Sequence, residues 1–162
     1  MFGRRQKPLL SLDVNLKTPI LKPLQQIQEN TGDEFTLPIM FDVFVANTGR
    51  YIAKEPMLII NISDRQHKIS LVGIKDSGTR VIDISDLRKQ GKTYQLKNSD
   101  LIFYTQMKTR VATLSFRVLK TSYQTLSPIV IGWEAFAENM QNQKGFININ
   151  LTDGDVVNYS AI

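Results

Sequence analysis

Cysteine is missing from all 162 residues. That excludes disulfide stapling, thiolate catalysis and Cys-ligated zinc or iron–sulfur centres. Histidine is almost missing: His67 stands alone beside Lys68 in a polar stretch. With no second imidazole and no adjacent carboxylate pair, it makes neither a zinc site nor a catalytic triad, and it reads as a loop residue. No apolar run approaches the ~20 residues of a membrane-spanning helix, so no membrane span is expected. The stretch from Met1 to Asp13 has basic residues but lacks the apolar core of a signal peptide. Three Asn-x-Ser/Thr sequons, at Asn61, Asn150 and Asn158, are therefore read as chance matches. These absences suit synthesis in a reducing, intracellular setting, which a virion released by lysis shares.

Chemical motifs are equally scarce. Gly91-Lys92-Thr93 resembles the end of a phosphate-binding loop, but the earlier glycine that loop needs is replaced by Asp86. Tyr94-Gln95-Leu96 then alternates like a strand where a helix is required, so a β-turn is expected. Asp153-Gly154-Asp155 is followed by Val156, Val157 and Asn158, not by the further oxygen ligands of a calcium loop, and reads as a hairpin turn. Asp83 with Asp86, and Glu134 with Glu138, are the available carboxylate pairs; both read as solvated charge. The tyrosines and Trp133 are dispersed and form no stacking platform along one strand face. No catalytic residue, metal or cofactor is expected, and the chain reads as a non-enzyme.

What is present is β periodicity. Phe35, Leu37, Ile39, Phe41, Val43 and Val45 fall on one side of residues 35–46. Side chains alternate along a strand with a period of two, so this stripe describes a strand laid on a core. Pro38 lacks a ladder donor and predicts an edge position, at least near the start of the strand. Residues 110–119 repeat the pattern with Ala112, Leu114, Phe116 and Val118 inward. Residues 57–62 and 68–74 flank a polar segment and predict a hairpin. Further short strands are expected at 79–84, 92–96, 101–105, 146–151 and 156–159. Trp133, Phe136, Ala137 and Met140 recur at i, i+3, i+4 and i+7, which predicts a two-turn helix. Short strands with turns every ten residues or so predict an all-β, antiparallel β-sandwich, of which the jelly roll is one form, with one short helix.

Residues 1–34 read differently. Pro8, Pro19 and Pro23 interrupt helix and favour extended chain. Leu10, Leu12, Val14 and Leu16 alternate with Ser11, Asp13 and Asn15, which suggests one strand within this stretch. The expected organisation is an extended amino-terminal arm over 1–34 and a sandwich domain over 35–162. Charge is uneven: residues 1–22 carry +4, whereas residues from Thr121 onward carry −3. Such a split suits either a basic arm for nucleic acid or head-to-tail contact between subunits steered by complementary fields, with a merely solvated arm as the default reading. Five scattered cations make a weak nucleic-acid arm, so nucleic acid is disfavoured as a partner. The candidate partner-binding residues are Arg4, Arg5, Lys7, Leu10, Leu12, Val14 and Leu16 on the arm, with Trp133 and Phe136 on the helix.

One stretch resembles a known family. Gln25-Gln26-Ile27-Gln28-Glu29-Asn30-Thr31-Gly32-Asp33, the alternating strand after it, and Asn47-Thr48-Gly49 resemble the opening of the amino-terminal domain of phage baseplate upper proteins. Gly91-Lys92-Thr93-Tyr94-Gln95-Leu96 and the strand at 110–119 sit where that family has a Gly-x-Tyr-x-Leu segment and closing strands. The similarity spans residues 25–120 and its motifs are short. It implies a β-sandwich scaffold piece of a virion, with no catalytic residues to carry over. The family continues into a long fibre-forming region, which this sequence does not show. The expectation is therefore a virion structural protein of tail, baseplate or head decoration, assembled in the host cytoplasm as a homo-oligomer or multi-copy assembly with other virion proteins. The alternative is a ligand-binding β-module for carbohydrate or nucleic acid.

Overall fold

A computed structural model describes residues 7–16, 39–63, 68–73, 79–86, 88, 91–97, 103, 105–117, 129–149 and 156–161, with backbone only at 16, 39 and 156–161. Ten strands occur among the described residues: β1 (Leu10–Leu16), β2 (Ile39–Asn47), β3 (Met57–Ile62), β4 (Lys68–Gly73), β5 (Arg80–Asp83), β6 (Lys92–Lys97), β7 (Met107–Arg117), β8 (Ile129–Phe136), β9 (Gln143–Ile149) and β10 (Val156–Ala161). They form two antiparallel sheets, one ordered β1-β2-β7-β4 and the other β10-β9-β8-β3-β6-β5. The fold is an all-β sandwich, as the alternation predicts, and no helix occurs among the described residues.

Alternation drives the packing. Phe41, Val43 and Val45 of β2 meet Ala112, Leu114 and Phe116 of β7 on the inner face, all buried. From the other sheet come Leu58, Ile60 and Ile62, then Tyr94 and Leu96, and Ile129, Ile131, Trp133 and Ala135. Each fully buried aliphatic or aromatic side chain stabilises the fold by roughly 1.5–3 kcal/mol relative to exposure. The Phe41 and Phe116 rings meet edge to face, 6.2 Å apart at 81°. Their register slips between Val43 and Phe44, where β7 holds the extra residue Val111. This bulge lets Val111 and Ala112 both turn inward, which strict alternation forbids.

Three expectations need correcting. The helix over 133–140 is instead the end of β8 followed by a turn. Its helical spacing is a coincidence; the governing stripe is Ile129, Ile131, Trp133 and Ala135, of period two, opened by the β-branched run Ile129-Val130-Ile131. The expected hairpin of 57–62 with 68–74 does not form. β3 is flanked on both sides, by β6 and β8, so β4 crosses to the other sheet and pairs with β7. The described part of β2 is not at an edge, since it lies between β1 and β7; the start of the expected strand, residues 35–38, lies outside the described residues. The strand expected within the arm is present at residues 10–16. They are β1, paired with β2 from Leu10↔Asn47 to Leu16↔Phe41. Of the strand expected over 101–105, Phe103, which bridges to Ala53, and Thr105, in a turn, are described, and the other three residues lie outside the described residues.

β1 also ties the two sheets together. The Leu10 amide donates to Gln143 Oε1 at 2.7 Å, and Gln143 Nε2 donates to the Pro8 carbonyl at 3.1 Å. Gln143 opens β9 of the six-stranded sheet, so one amide side chain spans the sandwich at this corner.

Candidate binding surfaces

Correcting the fold moves the candidate residues. Leu10, Leu12 and Val14 are 1%, 0% and 1% exposed and form part of the core. The same alternation that made them look like an adhesive stripe turns them inward beneath β2's neighbours. Trp133 is likewise buried, while Phe136 is half-buried on the opposite face of β8. The two do not share a surface, because three residues along a strand reverse the side. Lys7 is exposed. Arg4 and Arg5 lie outside the described residues, as does His67, and of Leu16 only the backbone is described. Among the described residues, no cluster of His, Cys, Asp and Glu could hold a metal ion. No described helix is long and apolar enough to cross a membrane, a statement that leaves β-barrels aside.

One end of the sandwich is organised by Asn47, which is 1% exposed. Its Oδ1 accepts from the Leu9 and Gly49 amides at 3.2 and 3.0 Å, and its Nδ2 donates to the Tyr51 and Phe103 carbonyls at 2.8 and 3.0 Å. A carboxamide offers two acceptor sites and two donors, and all are used. Gly49 completes the knot: a Cβ there would stand 2.5 Å from the Lys7 carbonyl oxygen and 2.6 Å from the Leu9 nitrogen. Around this rigid centre rise apolar side chains that remain in water. Leu9 and Tyr51 belong to backbone bonded to Asn47, Ile52 follows Tyr51, and Met107 pairs with Asn47 across the ladder. They are 39%, 41%, 45% and 56% exposed.

A second feature is a trough of about 420 Å³ on the outer face of the six-stranded sheet. Its floor is Gly132, where an added Cβ would find its nearest neighbour, the Asn61 carbonyl oxygen, 3.8 Å away. Thr93, Asn61, Gly132 and Phe146 stand in one row across β6, β3, β8 and β9. Ile59, Glu134 and Lys144 stand in the next. An open apolar floor flanked by an exposed phenyl ring and by amide, carboxylate and ammonium groups can receive a flat ligand or a partner's side chain. A glycine inside a β-branched strand is the sequence signal for this trough.

The far end is polar. Lys92 Nζ donates to the carbonyl of Ile69 at 3.3 Å, and the buried Tyr94 hydroxyl donates to the same oxygen at 3.4 Å. Both reach from the six-stranded sheet to edge strand β4 of the other, covering part of an edge that could otherwise pair with another chain. Burial, with the Asp83 charge adding to it, pushes the Tyr94 hydroxyl from 10.0 up to about 12. Asp83 accepts hydrogen bonds from the Ser85 hydroxyl and amide, and with Lys92 nearby its carboxyl is held below the usual value.

No family model matches the chain, and no curated protein matches it. A solved structure of AvmM, described as catalysing macrocyclization in alchivemycin A biosynthesis, is 12% identical over 96% of this chain and 88% of that one. Its TM-score of 0.35 is too low to bear on fold or function.

Proposed function

We propose that the protein is a non-enzymatic assembly subunit that works by protein–protein contact. The supporting observation is the apolar rim of Leu9, Tyr51, Ile52 and Met107 around the fully bonded Asn47. A surface that is both apolar and held rigid loses little conformational freedom on docking. Its occupant in this reading is a neighbouring copy of the chain. The +4 of residues 1–22 and the −3 of residues from Thr121 onward favour head-to-tail association. The resemblance to phage baseplate upper proteins supplies the setting, a virion part of tail, baseplate or head decoration, with other virion proteins as further partners. Sedimentation of the full chain tests the reading. The wild type should associate, and Ile52→Glu combined with Met107→Glu should give folded monomers. A wild-type chain that stays monomeric at every concentration would defeat it.

The Gly132 trough favours a second reading, a carbohydrate-binding module. Phe146 offers a ring face for the C–H side of a pyranose, and Asn61, Glu134 and Lys144 offer hydrogen bonds for its hydroxyls. A glycan array probed with wild type and with Gly132→Leu separates the two: binding lost in the variant supports the module, whereas no glycan retained by wild type leaves assembly.

A further inference from the structure

We propose that β1 is an exchangeable strand: in the associated protein, residues 7–16 of one copy complete the four-stranded sheet of its neighbour. Such exchange rests on the assembly reading above and specifies how the copies are held together. β1 stands at the end of the strand order and pairs with β2 from Leu10↔Asn47 to Leu16↔Phe41. Beyond that ladder its seat is built by Asn47, Thr48, Gly49, Lys108 and Gln143. The Leu9 amide donates to Asn47 Oδ1 at 3.2 Å, and the Thr48 amide donates to the Leu9 carbonyl at 2.9 Å. Gln143 holds the backbone of Pro8 and Leu10, and Lys108 pairs with Asp13 at 2.7 Å. Gly49, where no Cβ fits, is shaped to the backbone of Lys7 and Leu9. Leu10, Leu12 and Val14 fill the core beneath. All these partners lie beyond residue 38, so none requires that β1 belong to the same chain.

The chain between strand and seat is long. Antiparallel neighbours that follow one another in sequence are commonly joined by a hairpin loop of about two to five residues. Here residues 17–38 intervene, 22 in number, and they lie outside the described residues. Fully extended, that length spans about 70–80 Å, many times the spacing of about 4.8 Å between neighbouring strands. It reaches a neighbour's seat as well as its own. The strand makes the same contacts either way, so the two pairings differ in linker entropy and in the local concentration of neighbours. The apolar rim raises that concentration. Leu9, Tyr51, Ile52 and Met107 surround the end of the seat that takes Leu9, so a copy docked there brings its own β1 alongside. Charge adds direction. Residues 1–22 carry +4, and Gln143, which holds the strand, lies in the part from Thr121 onward that carries −3.

Ser11 and Ala46 lie directly opposite in the β1–β2 ladder, and the chain has no cysteine of its own. A disulfide between these two positions therefore reports whose strand fills the seat. Full-length chains carrying Ser11→Cys or Ala46→Cys singly are mixed in urea, refolded together at a concentration where the wild type associates, and oxidised. Links between the two variants should exceed links of either with itself about tenfold, read as joined peptides by mass spectrometry. Ser11→Cys mixed with Thr113→Cys, two strands away, should show no such excess. Ser11→Cys and Ala46→Cys placed together in one chain, with Ile52→Glu and Met107→Glu, should close within that chain, which shows that the seat forms when neighbours are kept apart. A wild type that never associates overturns the assembly reading and exchange together. Association without links between the Ser11→Cys and Ala46→Cys chains, or links equally abundant with Thr113→Cys, overturns exchange alone.

Discussion

The two ends of the sandwich are closed by opposite means. At the Asn47 end a neutral amide satisfies four backbone groups in the dry interior and surrounds itself with exposed apolar side chains. At the Lys92 end an ammonium group and a phenol reach across to one carbonyl of an edge strand. Neutral buried bonds are insensitive to salt and pH, whereas charged, half-exposed ones respond to both. The first end is therefore built to be a fixed platform, and the second to be sensitive to its surroundings.

Asn47→Ala should show the largest difference between them. It strands the Leu9 and Gly49 amides and the Tyr51 and Phe103 carbonyls, and we expect a loss of about 2–4 kcal/mol in urea unfolding. A loss below that of Tyr94→Phe would erase the distinction. Next comes Gly91→Ala. Gly91 has φ +91, and a Cβ there would stand 2.1 Å from the Ile62 carbonyl oxygen, so a cost of about 1–3 kcal/mol is expected. Gly132→Leu is the control, because an added Cβ meets nothing nearer than the Asn61 carbonyl oxygen at 3.8 Å; its unfolding free energy should stay within about 0.5 kcal/mol of wild type.

The pH response sharpens the contrast. Tyr94 has a folded pKa raised above its unfolded value. The folded state thus holds the proton more tightly, and the associated stability is complete below pH 10 and is lost as pH rises toward about 12. Ultraviolet titration should show a late tyrosine ionisation, and Tyr94→Phe should remove it. Asp83 acts in the other direction. Its folded pKa is depressed below 3.8, so its contribution is present above that value and is lost as pH falls through the folded one. Asp83→Asn should flatten the acid limb only slightly, because the group is exposed and solvent screens it. Both effects should survive in Asn47→Ala, since the two ends are joined only through the core.

Much of the architecture is legible in the residues. The inner stripes of β2 and β7 show through because one face of each strand is buried and the other is wet. Pairing is harder to read. Nothing local to Met57–Ile62 says that both its sides will be taken within one sheet, which sends Lys68–Gly73 to the other. β8 misleads because Trp133, Phe136, Ala137 and Met140 satisfy a helical period by accident, and the β-branched residues before them are the better guide. The binding surfaces are the least legible. Asn47 looks like an ordinary turn residue until the backbone that converges on it is known. Lys68 and Arg117 are far apart in sequence, and only strand register sets them opposite one another, while Lys92 comes from the facing sheet. Buried Leu10, Leu12 and Val14 teach the converse: an alternating apolar stripe announces burial without saying against whom.

The bond from Leu10 to Gln143 joins residues 133 apart, and it has a consequence for how the chain is made. During synthesis β1 emerges from the ribosome long before β9, and the corner it will occupy does not yet exist. Topology of this kind folds slowly, in milliseconds to seconds for sandwiches of modest size. A nascent chain halted before Gln143 would expose Leu10, Leu12 and Val14 as a greasy ribbon, a natural target for chaperones until translation finishes.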